Sequence, residues 1–109
     1  MKVLKLKLMV LRKLVNHKGE KIDNRTMTWD KWKETLLGEV KELCEALSSG
    51  NKKDIMEEVL DVIQVCIGML AKLFREGMVI EQGIYRHNKK LIDRGCEASG
   101  EIRFNVSRR

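Results

Sequence analysis

The sequence contains no proline, and aromatic side chains make up only 5% of its 109 residues. Hydrophobic residues account for 43% of the chain and charged residues for 35%. This balance is typical of amphipathic helices and argues against a β-sandwich or a barrel. We therefore expect an all-α protein, and its length fits one domain spanning residues 1–109.

The sequence also lacks a C-x-x-C pair, and its three cysteines, Cys44, Cys66 and Cys96, are widely spaced. An odd, dispersed set excludes a disulfide framework and a zinc knuckle. Such thiols suit a reducing compartment, so we expect a cytoplasmic protein. No stretch is long and apolar enough to span a membrane, and Lys5 and Lys7 interrupt the apolar N-terminal run, unlike a targeting segment.

Apolar residues at helical spacing predict a compact antiparallel bundle of about four helices. These helices cover residues 3–16, 29–47, 52–75 and 81–93, and the last two are followed by Gly77 and Gly95. In the first of them, the alternation from Lys2 to Leu8 leaves a short strand as the alternative. The tail from Glu101 to Val106 also alternates, which predicts an extended segment or a short edge strand.

Boundary residues define the second and third helices. Thr28 is a suitable N-cap for the second helix, and Gly50 or Asn51 can adopt the left-handed conformation that ends it. So short a connection makes the two helices antiparallel neighbours. Their predicted apolar stripes consist of Leu36, Val40, Leu43, Cys44 and Leu47 on the second helix and of Ile55, Val59, Val62, Ile63, Cys66 and Leu70 on the third.

Each of these two helices carries a pair of acids three residues apart, Glu39 with Glu42 and Glu58 with Asp61. A residue three positions along a helix is rotated by about 300° and raised by about 4.5 Å, so each pair presents two carboxylates on one face. Side by side, the helices would gather four carboxylates whose repulsion a divalent cation relieves. The alternative is that all four are ordinary solvated acids.

An all-carboxylate set favours Mg²⁺ or Mn²⁺ over zinc, which prefers histidine or cysteine. Paired carboxylates in a helical bundle also occur in di-iron sites, but that design needs Glu-x-x-His pairs. Neither His17 nor His87 has a glutamate three residues before it. The pattern therefore predicts a magnesium-type centre rather than a zinc or di-iron centre.

The stretch Gly38-Glu39-Val40-Lys41-Glu42, followed by Glu58-Val59-Leu60-Asp61, resembles the MazG-type all-α nucleoside triphosphate pyrophosphohydrolases. Their hallmark is E-E-x-x-E followed by E-x-x-D, and Gly38 here replaces the first Glu. The segment from Asn88 to Arg94 is similar to the basic final-helix motif of that family. The resemblance covers roughly residues 29 to 95.

The resemblance implies hydrolysis of a nucleoside triphosphate between its α and β phosphates, which yields a nucleoside monophosphate and pyrophosphate. Mg²⁺, with Mn²⁺ as a substitute, would be the cofactor, and a homo-oligomer, a dimer or tetramer, would be the assembly, with no nucleic acid required. The implied catalytic and metal-binding residues are Glu39, Glu42, Glu58 and Asp61. The implied substrate-binding residues are Asn88, Lys90 and Arg94, and we add Trp32 as a residue that could stack on the base.

The distribution of charge is also compatible with a different function. The chain is net positive over residues 1–33 and 82–109 and net negative between them, so a non-enzymatic helical nucleic-acid-binding or adaptor protein is the alternative. Lys90 and Arg94 could simply complement the dipole at a helix C-terminus. For Trp32, packing in the core is the alternative to stacking on a base.

Overall fold

The computed structural model describes residues 7–15 and 18–103. Within these residues it has three helices, α1 (Trp29–Ser49), α2 (Lys52–Arg75) and α3 (Ile80–Asp93). A hairpin of two three-residue strands, β1 (Lys13–Val15) and β2 (Lys21–Asp23), and a single 3₁₀ turn precede α1. The all-α class is confirmed, with three described helices instead of the expected four.

The predicted N-terminal helix is wrong over the part of it that the structure describes. Residues 7–12 form no helix, and β1 pairs antiparallel with β2, with Leu14 opposite Ile22. The cause is Asn24: its side chain donates to the carbonyl oxygen of Leu11 and its backbone N–H donates to that of Arg12, both at 2.9 Å. The carbonyl groups of Leu11 and Arg12 are therefore hydrogen-bonded to Asn24 instead of to the N–H groups four residues further along a helix. Residues 3–6 and 16 of that prediction lie outside the described residues.

The expected boundaries of α1 and α2 are confirmed to within two residues. The hydroxyl group of Thr28 accepts a hydrogen bond from the backbone N–H of Lys31 at 3.1 Å, which caps the start of α1. Gly50 ends α1 in the left-handed conformation with φ of 75°, and the side chain of Asn51 at once caps α2. A connection of two residues leaves little slack, and α1 and α2 pack together as a helical hairpin.

The core lies at the end of this hairpin remote from Gly50. Trp32 is only 2% exposed and lies with Met27 and Val65, and Ile22, Leu36 and Met69 pack around this cluster. Beside it, the indole N–H of Trp29 donates to the Glu76 carboxylate at 3.1 Å, and the ammonium group of Lys72 lies 5.2 Å from the Trp29 ring centroid. The start of α1 is thereby tied to the end of α2.

The faces that α1 and α2 turn towards each other differ from the predicted stripes. The shielded residues include Trp32, Leu36, Glu39, Leu43 and Ala46 on α1 and Ile55, Glu58, Val62, Val65 and Met69 on α2. Seven members of the predicted stripes are exposed instead: Val40, Cys44, Leu47, Val59, Ile63, Cys66 and Leu70. We call these seven residues the outer apolar strip, and we call the surface between the two helices the seam.

The chain divides into two compact units, one ending at Met78 and one beginning at Val79. In the second unit, α3 buries none of its side chains and ends before Gly95, as expected.

The predicted edge strand does not form over Glu101 to Arg103, and residues 104–106 lie outside the described residues. None of the helices in the described ranges has the length and apolar character needed to cross a membrane.

Candidate metal centre

The four predicted acids converge. Glu39 and Glu42 project from α1 and Glu58 and Asp61 from α2, and each offers a carboxylate oxygen such that these oxygens all lie within 4.8 Å of one another. The two-residue connection at Gly50 and Asn51 brings this about, because it leaves the two helices antiparallel at a fixed register. The prediction that neighbouring helices gather these four side chains is confirmed.

Two of the four acids lie on the seam and two at its edge. Glu39 and Glu58 are partly buried, whereas Glu42 and Asp61 are exposed. One carboxylate oxygen of Glu39 and one of Glu58 are shielded from solvent and accept no hydrogen bond from any residue in the described ranges. A buried acceptor without a partner is costly, so the arrangement favours a positively charged ligand between these oxygens.

The electrostatic cost appears in the pKa values. Burial of the carboxyl group, reinforced by the negative charges of Glu42 and Asp61, raises the pKa of Glu39 from 4.5 to about 7. Burial and then the same two neighbouring charges raise the pKa of Glu58 in the same direction. Loss of solvent and like-charge repulsion both disfavour the ionised form, and a cation would reverse both effects.

The donor set fits a hard divalent cation. It consists only of carboxylate oxygens, the ligands that Mg²⁺ and Mn²⁺ prefer. Among the ion pairs that the described side chains form, none involves any of the four acids. Their charge is thus balanced by no lysine or arginine in this part of the chain, which leaves the centre suited to an ion.

The interpretation of Trp32 as a base-stacking residue is not supported. Its side chain is 2% exposed and lies against Gly68 and Val65, so neither face of the ring is open to a nucleobase. The apolar area of an indole gains more from this burial than it would at the surface. Trp29 is more exposed, but it is already engaged by Glu76 and Lys72.

The predicted basic residues lie on α3 or at its end, in the second compact unit. Asn88, Lys90 and Arg94 are exposed, and Arg94 is the C-cap residue that directly follows α3. The neighbouring Lys89 forms an ion pair with Asp93 at 2.8 Å, whereas Lys90 and Arg94 form none among the described side chains. Their contact with substrate stays a prediction.

Gly68 is the residue of this region that the sequence analysis missed. It lies within α2, where the ring of Trp32 approaches its backbone. An isolated glycine in an otherwise apolar helical run was the available signal, because such a glycine costs helix stability and usually has a packing reason.

The comparisons with known proteins agree with this geometry. The model of the phosphoribosyl-ATP pyrophosphohydrolase family matches residues 8–73, which are more than half of the chain and include all four acids. This family falls within the MazG-like all-α superfamily, so the expected resemblance is confirmed. Neither a curated protein nor a solved structure matches the chain significantly. The chain belongs to the phosphoribosyl-ATP pyrophosphohydrolase family, and it is a nucleotide pyrophosphohydrolase, a hydrolase that acts on phosphoric anhydrides.

Proposed function

We propose that this protein hydrolyses nucleoside and deoxynucleoside triphosphates between the α and β phosphates, with Mg²⁺ as its cofactor and with a nucleoside monophosphate and pyrophosphate as products. The observation that carries the proposal is the convergence of four carboxylates. In two of them, one oxygen is shielded from solvent and has no hydrogen-bond partner among the described residues. Membership of a pyrophosphohydrolase family supports the reaction type.

Glu39, Glu42, Glu58 and Asp61 would hold the ion. When bound there, Mg²⁺ supplies positive charge to phosphate oxygens and to the water that completes its shell. Because the pKa of Glu39 is raised to about 7, part of its population is protonated at neutral pH and must give up its proton to become a ligand. Metal affinity should therefore rise with pH.

In the reaction, the oxygen of a water molecule forms a bond to the α phosphorus, and the bond from that phosphorus to the bridging oxygen of pyrophosphate breaks. The proton of the water passes to a carboxylate. One of the four acids, or Glu45 or Glu57 beside them on α1 and α2, would be this general base. Both Glu45 and Glu57 are exposed and therefore accessible to water.

Pyrophosphate gains negative charge as it leaves, so cations are needed to stabilise it. Lys90 lies in the last turn of α3 and Arg94 is its C-cap residue with a helical backbone conformation, so these two residues, four apart, share one face. We assign them to the phosphates of the substrate and Asn88 to a hydrogen bond with a phosphate or the base. The ion pair of Lys89 with Asp93 makes Lys89 a matched control.

The name of the family indicates a particular substrate, phosphoribosyl-ATP. This molecule shares its triphosphate with ATP, and the four carboxylates would act on that shared part. We therefore propose phosphoribosyl-ATP as one member of the substrate class and expect the base and sugar to be selected outside the acidic centre.

A pyrophosphatase-coupled phosphate assay tests the proposal across ATP, the other nucleoside and deoxynucleoside triphosphates and phosphoribosyl-ATP, with Mg²⁺, with Mn²⁺ and with chelator. We expect metal-dependent turnover that Glu58→Gln lowers on the order of a hundredfold or more. Glu34→Gln is the control, because Glu34 is an exposed residue of α1 paired with Lys31. Lys90→Ala should raise KM more than Lys89→Ala.

Absence of metal-dependent turnover with every one of these nucleotides would contradict the proposal. Salt-sensitive binding of DNA or RNA that persists in Glu58→Gln would then favour the nucleic-acid-binding alternative.

A further inference from the structure

We propose that Trp32 and Gly68 are positioning residues: their contact sets the register at which α1 and α2 present four carboxylates to a divalent cation. The inference rests on the metal centre of the proposed function and adds to it two residues that bear no ligand atom.

The contact between them is too close for any larger residue at position 68. A β-carbon added to Gly68 would lie 2.8 Å from Cζ3 and 3.1 Å from Cζ2 of Trp32, and closer still to Cη2. Ordinary carbon contacts lie at about 3.5–4.0 Å. The ring cannot turn outward readily, because it is 2% exposed and enclosed by Met27, Val65 and their neighbours. Only glycine lets the two helices approach at this level.

The spacing along the two helices links this contact to the acids. Trp32 precedes Glu39 by seven residues on α1, and Asp61 precedes Gly68 by seven residues on α2. Seven residues are nearly two full turns, so each pair shares a face, about 10.5 Å apart along its helix. Because the helices are antiparallel, seven residues forward from Trp32 on α1 and seven residues back from Gly68 on α2 lead to the same level. The contact between Trp32 and Gly68 therefore also places Glu39 level with Asp61.

The other end of the hairpin is fixed in a different way. Gly50 and Asn51 join the helices covalently, eight residues beyond Glu42. The acidic centre thus lies between a tight turn and the Trp32–Gly68 contact. Repulsion among the carboxylates pushes α1 and α2 apart between these two points, and the contact at the open end resists that separation.

The choice of tryptophan also indicates that shape matters at this position. The indole N–H of Trp32 is buried and has no hydrogen-bond partner among the residues that the structure describes. A phenylalanine would supply apolar area without this unpaired donor. The larger ring is needed because its distal carbons, Cη2, Cζ3 and Cζ2, are the atoms that reach Gly68.

The test measures Mn²⁺ affinity of the full-length protein by calorimetry, beside thermal unfolding of the metal-free protein. Gly68→Ala should weaken Mn²⁺ binding about tenfold or more, because the added methyl group displaces α2 relative to α1. Combining it with Trp32→Phe removes the ring atoms that would clash, so the double variant should regain most of the affinity. Such non-additivity is the signature of residues that act through one contact.

Two controls separate register from stability. Val65→Ala removes packing from the same cluster without inserting a wedge, and it should lower the melting temperature with little change in Mn²⁺ affinity. Gly83→Ala adds a methyl group to a helical glycine in open space on α3. It should leave the Mn²⁺ affinity unchanged and should not lower the melting temperature, because alanine favours a helix over glycine.

Three outcomes would overturn the inference. One is a folded Gly68→Ala variant that binds Mn²⁺ as tightly as the wild type. Another is a folded Trp32→Phe/Gly68→Ala double variant that does not regain Mn²⁺ affinity. This second measurement decides the matter even if the Gly68→Ala single variant does not fold. The third is Val65→Ala losing as much affinity as Gly68→Ala. A wild-type protein that binds no Mn²⁺ would instead refute the proposed metal centre itself.

Discussion

The seam between α1 and α2 and the outer apolar strip of the same two helices each contain residues that amphipathic helices usually place on the other side. The seam contains Glu39 and Glu58, two acids with shielded oxygens, whereas the strip exposes Val59, Leu70 and other apolar side chains to solvent. Stability alone would place the strip inside and the glutamates outside. This placement is what the proposed metal centre requires, and we expect it to lower the stability of the metal-free protein.

Replacing an acid of the seam by an apolar residue should have the largest effect, because it removes the main difference from an ordinary helix interface. Glu39→Leu removes a partly buried carboxylate, so we expect loss of Mn²⁺ affinity on the order of a hundredfold or more and a metal-free protein more stable by about 1–3 kcal/mol. Calorimetry and chemical denaturation measure the two changes. Glu34→Leu on the exposed side of α1 is the control. A less stable Glu39→Leu protein would show that the seam is not strained without metal.

Identical substitutions on the seam and the strip compare their packing directly. Val65 is 8% exposed and Val59 is 37% exposed, and both belong to α2. Val65→Ala should lower the free energy of unfolding by about 2 kcal/mol, because it leaves a cavity, and Val59→Ala by less than about 1 kcal/mol. Urea titrations of both variants check this. Equal losses would mean that the strip is covered in solution.

A second copy of the chain is the covering that we expect for the strip, since we predict a dimer or tetramer. Leu70 is 45% exposed on it. Leu70→Glu should then reduce the mass in light scattering while leaving the melting temperature of dilute protein nearly unchanged. Lys53→Gln, at the exposed start of α2, changes the net charge by the same amount and is the control. A wild-type protein that is monomeric at high concentration would contradict the expectation.

The smallest predicted effect is the change in the stability of the metal-free protein with pH. In the unfolded chain Glu39 ionises near pH 4.5, but in the folded protein its pKa is about 7. Between these values the folded state binds more protons than the unfolded state, so stability falls as the pH rises from about 4.5 to about 7. The melting temperature of metal-free protein should decrease by a few degrees in this window, less so in Glu39→Leu. Mn²⁺ should restore more stability at pH 8 than at pH 5. A flat profile would contradict the raised pKa.

Local signals in the sequence were sufficient for the boundaries of α1, α2 and α3. Thr28, Gly50 and Asn51 act within one helical turn of themselves, so their roles follow from residue type. The convergence of the four acids was predictable for a related reason: a short connection and a regular helical rise determine which residues face each other.

What could not be predicted depends on contacts between distant residues. Asn24 donates hydrogen bonds to the carbonyl oxygens of Leu11 and Arg12, which are then not available to the predicted first helix. Nothing near these two residues in the sequence indicates this contact. Likewise the predicted apolar stripes followed from the helical periodicity of apolar residues, whereas the helices meet where Trp32 fits against Gly68. Shape complementarity between two residues 36 positions apart cannot be deduced from the periodicity of either helix.

The half-buried position of Glu39 also governs what accompanies ion uptake. Because burial and the neighbouring negative charges raise the pKa of Glu39 to about 7, we expect binding of a cation near neutral pH to release protons into the medium. The heat of Mn²⁺ association should consequently vary with the ionisation enthalpy of the buffer, and we expect acidification to weaken Mn²⁺ binding.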